Sequence, residues 1–263
     1  METQTNSLTD LDLTSTPDNP KHTLLIAELG INMGGNVKVT EDMIIRAQKA
    51  GADVVKFQKY DPIRLLGKDS PYLADASMGQ FTKPQYEWFK DFSNRSGIEF
   101  AVTIFHAEDV DWANTLNMPF FKIASRSVKD TDLLREIAKT GKPVIMSVGM
   151  SDDKEIRNAT NILQHSKLTL LYCVCKYPTE VQDIKLSDIF RLYVKYKRPV
   201  GFSSHCPNIY PAIKAAAIGA SVIEQHCTIS RDLPGCDMPA SLTFEEFEDL
   251  TRVVRGLDAV PGQ

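Results

Sequence analysis

Two histidines stand at the ends of two successive apolar runs of the sequence. His205 follows the run that begins at Pro199, and His226 lies near the end of the run that begins at Val222. Two imidazoles on adjacent strand ends are suitable ligands for a divalent metal ion, with water, a carboxylate or a substrate oxygen in the remaining positions. Such an open site is typical of a catalytic metal centre rather than a closed structural zinc site. The alternative is that one histidine is an ordinary hydrogen-bonded residue.

Cysteines next to these histidines raise the question of a zinc–thiolate site. Cys206 and Cys227 each directly follow one of the histidines. Consecutive residues of a strand point to opposite faces, so a histidine and the cysteine beside it do not face the same site while the strand is regular. The chain has five cysteines, an odd number, without CxxC spacing. This pattern disfavours both zinc–thiolate binding and a disulfide framework, and it suits reduced thiols.

Two lysines in other apolar runs indicate a site for an anion. Lys56 and Lys122 are accompanied by hydroxyl donors at Ser125, Ser147 and Ser203. Ammonium and hydroxyl groups suit the oxygens of phosphate and carboxylate. The whole chain carries a formal charge of −4, so an anionic ligand has to be held by such a local cluster. Either lysine could instead be the Schiff-base nucleophile of an aldolase.

The elements that must position these residues alternate between strand and helix patterns. Apolar, β-branched runs predict eight strands, each followed by a helix-patterned segment. The predicted strands are Thr23–Leu29, Asp53–Lys59, Glu99–Phe105, Phe120–Ser125, Pro143–Gly149, Leu168–Val174, Pro199–Ser204 and Val222–Cys227. A repeat of about 30 residues requires right-handed crossovers and a parallel sheet. The α/β class and this strand count favour a (β/α)8 TIM barrel; an open doubly wound sheet is the alternative, but no GxGxxG follows the first strand.

In a barrel of this kind the active site lies at the C-terminal ends of the strands. Each predicted strand carries at least one polar residue there, and the two-residue period of a strand places Lys56 with Gln58, and Glu224 with His226, on common faces. The polar residues at the strand ends are Glu28, Lys56, Gln58, Thr103, Lys122, Ser125, Ser147, Cys175, Tyr177, Ser203, His205, Glu224 and His226. Any one of them alone could be an ordinary polar residue, but together they predict one site.

Composition limits the classes of protein that remain. Hydrophobic residues make up 43% of the chain and charged residues 24%, which excludes a fibrous or wholly disordered protein. The sequence pI of about 5.8 gives no long-range attraction to nucleic acid or an anionic membrane. The apolar runs are shorter than the roughly 20 residues of a membrane span, and the N-terminus lacks a secretory pattern, so we expect a cytoplasmic protein. We expect residues 1–21 to form a flexible polar tail and residues 22–263 to form the barrel domain.

Several motifs, in order along the chain, resemble those of the sialic acid synthase family, which includes N-acetylneuraminate, legionaminate and pseudaminate synthases. The resemblance extends from Leu24 to Leu257. The motifs are IAELGIN at Ile26–Asn32, AGADVVKFQ at Ala50–Gln58, FFKIAS at Phe120–Ser125, TGKPVIMSVGM at Thr140–Met150, KYP at Lys176–Pro178, GFSSH at Gly201–His205, and VIEQHCTISRDLPGCDMPASLTFEEF at Val222–Phe247.

The resemblance implies a barrel that condenses phosphoenolpyruvate with a sugar aldehyde, such as N-acetylmannosamine, to give a 3-deoxy-nonulosonic acid and phosphate. It implies that His205 and His226 hold a divalent metal, with Mn²⁺ expected first and Mg²⁺ or Co²⁺ as alternatives. Glu28, Tyr177 and Asp237 match positions at the sugar or the reacting end and are the expected catalytic residues. The expected substrate-binding residues are Lys56, Gln58, Thr103, Lys122, Ser125, Ser147 and Ser203.

The chain departs from the family's pattern near the sugar. Met33 stands where the family has a histidine, and Arg126 and Ser127 replace a glycine and an acidic residue. Ser204 replaces the aspartate before the first metal histidine, and the serine before the family's YP motif is replaced within Cys175–Lys176–Tyr177. We therefore expect a remodelled sugar subsite, with Arg126 as a replacement cation.

Most members of the family carry a C-terminal antifreeze-like domain, whose arginine reaches the sugar site of a neighbouring subunit. Because this chain ends at Gln263, we expect it to lack that domain. The question of a homo-oligomer therefore stays open. The departures also leave an alternative function, in which a catalytically inactive barrel acts as a binding or regulatory subunit.

Overall fold

The barrel consists of eight parallel strands that pair in chain order. The computed structural model describes residues 22–260. Its barrel strands are β1 (Leu24–Gly30), β2 (Val54–Lys59), β3 (Glu99–Ile104), β4 (Phe121–Ile123), β5 (Val144–Ser147), β6 (Leu168–Cys173), β7 (Val200–Ser204) and β8 (Val222–Thr228). The last strand returns to pair with the first, which places Glu28 beside His226. The sheet is closed, and the predicted (β/α)8 TIM barrel is confirmed.

Helices follow the strands around the outside of the barrel. They are α1 (Val37–Lys49), α2 (Pro62–Leu66), α3 (Leu73–Met78), α4 (Lys83–Arg95), α5 (Val110–Thr115), α6 (Thr131–Lys139), α7 (Asp153–Ile162), α8 (Ser187–Tyr196), α9 (Ile209–Ala217) and α10 (Phe244–Asp258). Local sequence accounts for their ends. Asp152 with Glu155, and Thr243 with Glu246, form capping boxes at the starts of α7 and α10. Gly51, with a φ of 82°, supplies the left-handed residue after α1.

Side chains of each strand alternate between two buried layers. Leu24 and Ile26 point into the lumen, whereas Leu25 and Ala27 pack outward against the helices. Val54, Ala101, Phe120, Ile145, Leu171 and Val222 complete the apolar lumen layer. The next inward positions along the strands are polar, so an apolar plug supports a polar layer at the C-terminal end of the barrel.

Apart from one-residue shifts at strand ends, the structure differs from the predicted elements in four places, the first of which is β5, which ends at Ser147 instead of Gly149. Strand β4 is shorter than predicted, because Ser125–Ser127 forms a 3-10 turn that leaves the sheet. A short strand that the sequence analysis did not predict, β9 (Leu242–Thr243), pairs with the end of β8. The connection between β2 and α4 contains two short helices, α2 and α3, instead of a direct crossover.

Two further predictions concern the chain outside the barrel. The predicted polar tail, residues 1–21, lies outside the described residues. Between residues 22 and 260 there is no helix that combines the length and apolar character needed to cross a bilayer.

Close packing at Gly201 gives a prediction about stability. A Cβ atom there would lie 2.4 Å from the Val222 carbonyl oxygen and 2.7 Å from Leu171 Cδ2, inside the lumen. Gly201→Ala is therefore expected to lower the free energy of unfolding by about 2 kcal/mol, as overpacking of a core does. Gly256→Ala, within α10 and with no atom within 4 Å of its added Cβ, is the matched control and is expected to stabilise by at most ~1 kcal/mol. Urea unfolding of both variants checks this, and equal stabilities would contradict it.

Candidate active site

The polar layer of the lumen lines one cavity of about 250 Å³ at the C-terminal ends of the strands. All of the predicted site residues except Asp237 line it. Strand alternation explains the grouping, because Glu28 follows Ile26, Lys56 follows Val54 and Ser203 follows Gly201 at intervals of two. The structure thus brings these residues together, whereas their individual roles stay predictions.

Two lysines and two carboxylates form a buried cluster at the floor of the cavity. Lys56 is ion-paired with Glu28, and its Nζ also lies 3.5 Å from Glu224 Oε2 and donates to Thr103 Oγ1 at 2.9 Å. Lys122 Nζ lies 3.5 Å from Glu224 Oε1 and donates to Ser147 Oγ at 2.8 Å. All four charged side chains are at most 7% exposed.

Burial and pairing shift the pKa values of this cluster in different directions. Burial alone lowers the pKa of Lys56, but the carboxylates of Glu224 and Glu28 outweigh it and raise that pKa. For Lys122 burial prevails, Glu224 offsets only part of it, and the pKa falls below the ordinary lysine value. Burial would raise the pKa of Glu224, yet Lys122, Lys56 and the Ser203 hydroxyl together lower it to about 2. Glu224 is therefore a carboxylate at neutral pH.

Glu224 is the residue whose importance the sequence analysis missed. It accepts a hydrogen bond from Ser203 Oγ at 2.8 Å and lies between both lysines. The sequence contained a signal, since Glu224 and His226 share a strand face. That spacing predicts that the Glu224 side chain points into the barrel. It does not predict its partners, because strand spacing does not indicate which side chains meet across a barrel.

The remaining polar groups of the floor hold one another in place. Gln58 Nε2 donates to Glu28 Oε1 at 2.8 Å. Ser125 Oγ accepts from the Gly149 backbone at 3.1 Å and lies 3.1 Å from Cys173 Sγ. These hydroxyl and amide groups give the cavity a dense set of hydrogen-bonding partners beside the two lysines.

The two histidines lie together on one side of the cavity. Their ring centroids are 5.4 Å apart, and Tyr177 stacks on His205 at 4.0 Å. His205 Nδ1 donates to the Val174 carbonyl at 2.7 Å, which leaves Nε2 to accept from the Tyr177 hydroxyl at 2.8 Å. Burial and the neighbouring His226 lower the pKa of His205 to about 3, so this ring is neutral at pH 7.

Tyr177 combines an exposed ring with an inward hydroxyl. Its side chain is 48% exposed, but the hydroxyl points at His205, and burial of that end raises the pKa of Tyr177 well above its ordinary value. The hydroxyl therefore stays protonated and donates a hydrogen bond to the imidazole. This contact couples the loop after β6 to the histidine side of the cavity.

The residues present fit an open metal site. His226 Nδ1 is buried without a hydrogen-bond partner among the described residues, and the Nε2 lone pair of neutral His205 would bind an ion in exchange for its hydrogen bond from Tyr177. A Cβ atom at Gly30 would lie 2.8 Å from Asp237 Oδ2 and 3.2 Å from His226 Nδ1, so both groups lie against this glycine. Within residues 22–260 no three His, Cys, Asp or Glu side chains converge as a metal cluster. Such a donor set suits an ion that keeps positions for water or substrate oxygens.

The neutral state of His205 gives a pH prediction for the metal-free protein. The unfolded chain binds a proton on this residue below about pH 6.5, whereas the folded chain does not until about pH 3, so stability falls as the pH decreases through this window. We expect a loss of about 1 kcal/mol per pH unit from His205 between pH 6 and pH 5.

Urea unfolding in the presence of a chelator at pH 7.5, 6.0 and 5.0 measures this dependence. His205→Gln removes the titrating group and is expected to flatten it. Burial also lowers the pKa of His106, so the comparison between wild type and variant isolates the contribution of His205. Parallel pH dependences in the two proteins would contradict the prediction.

A second cavity, of about 580 Å³, opens beside the first and contains Asp237. The two cavities share Gln58, Leu65, Arg126 and Tyr177 as lining residues. Its other walls are mostly apolar and come from the insertion between β2 and α4 and from neighbouring loops: Ile31, Tyr60, Leu66, Tyr72, Ala76 and Cys236. This wall was not predictable from the sequence, because short irregular helices show no sustained hydrophobic period.

The residues that depart from the family's pattern have different surroundings. Arg126 lines both cavities and donates to the Leu65 carbonyl at 2.6 Å. Met33 is buried in the outer core rather than in the cavity. Ser204 is buried and accepts from the Cys206 backbone, and Ser127 is buried in the turn after β4. Arg126 is thus the departure, besides Cys175, that faces the cavity.

Comparison with known proteins identifies the family. Residues 43–263 match the NeuB family. The chain belongs to this family. The N,N'-diacetyllegionaminic acid synthase of Campylobacter jejuni is 32% identical to this chain, and the match covers 92% of this chain and 78% of that protein. Human N-acetylneuraminate-9-phosphate synthase is 30% identical to this chain, and the match covers 90% of this chain and 71% of that protein.

A solved structure agrees with this membership. The N-acetylneuraminic acid synthetase of Leptospira borgpetersenii superposes with a TM-score of 0.88 at 31% identity, covering 94% of this chain and 86% of that one. The prediction that this NeuB-family protein is a sialic-acid-synthase-like transferase is confirmed by these relatives.

Proposed function

We propose that this NeuB-family protein condenses phosphoenolpyruvate with a sugar aldehyde to give a 3-deoxy-nonulosonic acid and inorganic phosphate. The observation that carries the proposal is the pair of buried lysines, Lys56 and Lys122, each with a hydroxyl partner, in a cavity that also contains two adjacent histidines. Ammonium groups held in a dry site bind phosphate and carboxylate oxygens more strongly than they do in water.

The charges of the cavity explain why it needs more than these lysines. Lys56 and Lys122 are offset by Glu28 and Glu224, so the cluster is formally neutral. Phosphoenolpyruvate carries several negative charges, and further positive charge must accompany it. Arg126 at the rim and a divalent ion at His205 and His226 are the sources we propose.

Each part of the reaction can then be assigned to groups of this chain. Lys56, Lys122, Ser125, Ser147 and Ser203 hold the phosphate and carboxylate while C3 of phosphoenolpyruvate attacks the aldehyde carbon. Water adds to C2, and the tetrahedral adduct loses inorganic phosphate. A divalent ion on the two histidines would polarise the aldehyde oxygen.

Proton transfer and orientation are assigned to residues at the floor of the cavity, beside Gly30 and next to His205. Glu28, positioned by Gln58, is one candidate proton carrier, and Asp237, beside Gly30, is the other. The Tyr177 hydroxyl orients the neutral ring of His205 before an ion binds, and an ion on Nε2 would replace that hydrogen bond. Thr103 fixes the Lys56 ammonium.

We place the sugar in the second cavity, next to Arg126, Tyr177 and Asp237. Its mostly apolar wall fits an uncharged amino sugar with acyl substituents, such as N-acetylmannosamine or a diacetamido-trideoxyhexose, better than a sugar phosphate. The acyl methyl groups would contact Leu66 and Tyr72, and a carboxylate at Asp237 would repel a phosphate.

The test is release of inorganic phosphate from phosphoenolpyruvate with a panel of sugar aldehydes, with Mn²⁺, Mg²⁺, Co²⁺ or chelator. Phosphate release and formation of a nonulosonic acid with an uncharged amino sugar are expected, together with loss of turnover under chelation. No phosphate release with any sugar and any metal would refute the proposal.

A Schiff-base aldolase is a second candidate, because burial lowers the pKa of the Lys122 amine and favours its nucleophilic form. Borohydride in the presence of pyruvate or the sugar would then attach substrate covalently to Lys122.

An inactive binding subunit would bind phosphoenolpyruvate in calorimetry but release no phosphate. The two outcomes separate these alternatives from the synthase.

A further inference from the structure

Two cysteines lie together in the wall of the main cavity. Cys173 is the last residue of β6 and is buried, whereas Cys175 lies two residues later in the following loop and is exposed. Their Sγ atoms are 3.9 Å apart, and both side chains line the cavity. The chemistry assigned to the synthase above uses neither thiol.

The surroundings of the pair make one sulfur a nucleophile and the other its proton donor. The hydrogen bond from Cys175, with further help from Ser125 and Lys122, outweighs burial and lowers the pKa of Cys173 to about 6. The same interaction raises the pKa of Cys175, which keeps its proton. A thiolate with a second thiol beside it is the arrangement found in redox-sensitive protein sites.

We propose that Cys173 and Cys175 are an oxidisable dithiol that a hydroperoxide converts to a disulfide, with loss of activity. The Cys173 thiolate attacks a peroxide oxygen, which breaks the O–O bond and gives a sulfenic acid and, after protonation, water or an alcohol. The Cys175 sulfur then attacks the sulfenic sulfur and releases water. The two thiols lose two electrons in total, and the hydroperoxide gains them.

The position of the pair explains how a disulfide would disable the cavity. The residue between the cysteines, Val174, accepts the hydrogen bond from His205 Nδ1, and Tyr177, two residues beyond Cys175, donates to His205 Nε2. Both hydrogen bonds that orient His205 therefore come from the segment that must move when the sulfurs approach to bonding distance. Oxidation also removes the negative thiolate facing Lys122.

Peroxide titration followed by peptide mass spectrometry tests the site. Trypsin cleavage after Lys167 and Lys176 gives the peptide LTLLYCVCK, which contains both cysteines and no other. We expect hydrogen peroxide to convert this peptide to a form roughly 2 Da lighter that resists alkylation, and dithiothreitol to reverse it. Phosphate release by the proposed synthase reaction is expected to fall at least fivefold with disulfide formation and to recover with the reductant.

Two variants sharpen the result. Cys175→Ser is expected to leave Cys173 as a sulfenic acid that dimedone captures, because no resolving thiol remains. Cys236→Ser, which changes the half-buried thiol of the second cavity, is the control and is expected to form the disulfide as the wild type does. If the peptide stays doubly alkylated after peroxide treatment, the proposal that the two cysteines form a disulfide is wrong. If the disulfide forms completely and phosphate release is unchanged, the proposed effect on activity is wrong. If the reduced protein releases no phosphate, the proposed synthase function fails, while the mass measurement still decides the dithiol.

Discussion

Lys122→Met is expected to lower kcat/KM for phosphoenolpyruvate about 100-fold and to leave the barrel folded. The substitution removes one of the two ammonium groups that we assign to the phosphate and carboxylate of the substrate. Losing a buried charged contact to a ligand costs about 3 kcal/mol, which corresponds to this factor. The fold should persist because Glu224 keeps Lys56 and the Ser203 hydroxyl as partners.

Calorimetry with phosphoenolpyruvate, together with initial rates of phosphate release, measures this effect. Lys139→Met is the matched control: the residue lies at the end of α6, the helix that follows the same strand, and its side chain is 69% exposed. The control is expected to bind phosphoenolpyruvate like the wild type. If Lys122→Met also bound it with unchanged affinity, the anion would have to lie elsewhere in the cavity.

Lys122 is a better test than Lys56 because the two lysines have different structural roles. Lys56 pairs with both Glu28 and Glu224, so its removal would leave two buried carboxylates with little compensation. Lys122 pairs with Glu224 only, and burial already lowers its pKa. A change at Lys122 therefore reports on ligand binding with the least disturbance of the folded barrel.

The polar layer of the barrel could be predicted from the sequence because strand geometry is regular. A residue that follows an inward apolar side chain by two positions also points inward, which correctly placed Glu28, Lys56 and Ser203 in one lumen. Closure of the sheet followed from the number of βα units. Neither inference required knowledge of which side chains touch each other.

Contacts across the lumen and irregular loops could not be inferred in this way. The position of Glu224 between two lysines depends on the register of β2, β4 and β8 around the barrel, which local spacing does not encode. Asp237 lies in a second cavity because the chain after β8 turns past Gly30. The apolar wall at Leu66 and Tyr72 depends on how two short helices fold back on the rim.

Glu224→Gln is expected to lower the free energy of unfolding by about 3 kcal/mol at pH 7.5, because removing one partner of a buried ionic cluster leaves the other charges uncompensated. Glutamine keeps the shape and still accepts from Ser203, so the loss reports mainly on charge. The deficit should shrink toward pH 9. Burial already lowers the pKa of Lys122 in the folded protein. The Lys122 ammonium of the folded variant therefore loses its proton at a lower pH than the same group in the unfolded chain. Because the unfolded chain then binds more protons, the free energy of unfolding of the variant rises with pH.

Combining Glu224→Gln with Lys122→Met tests whether charge balance is the cause. The double variant keeps Lys56 paired with Glu28, and the cluster is again formally neutral. We expect it to recover at least ~1 kcal/mol relative to the sum of the single changes, as coupled neighbours do, while phosphoenolpyruvate binding stays as weak as in Lys122→Met. Glu248→Gln, on the exposed face of α10, is the control for loss of a carboxylate and should change stability by less than about 0.5 kcal/mol. Urea unfolding could instead show that the losses of unfolding free energy from the Glu224 and Lys122 changes are strictly additive. The two residues would then act independently, and charge neutrality of the cluster would not be the cause of its stability.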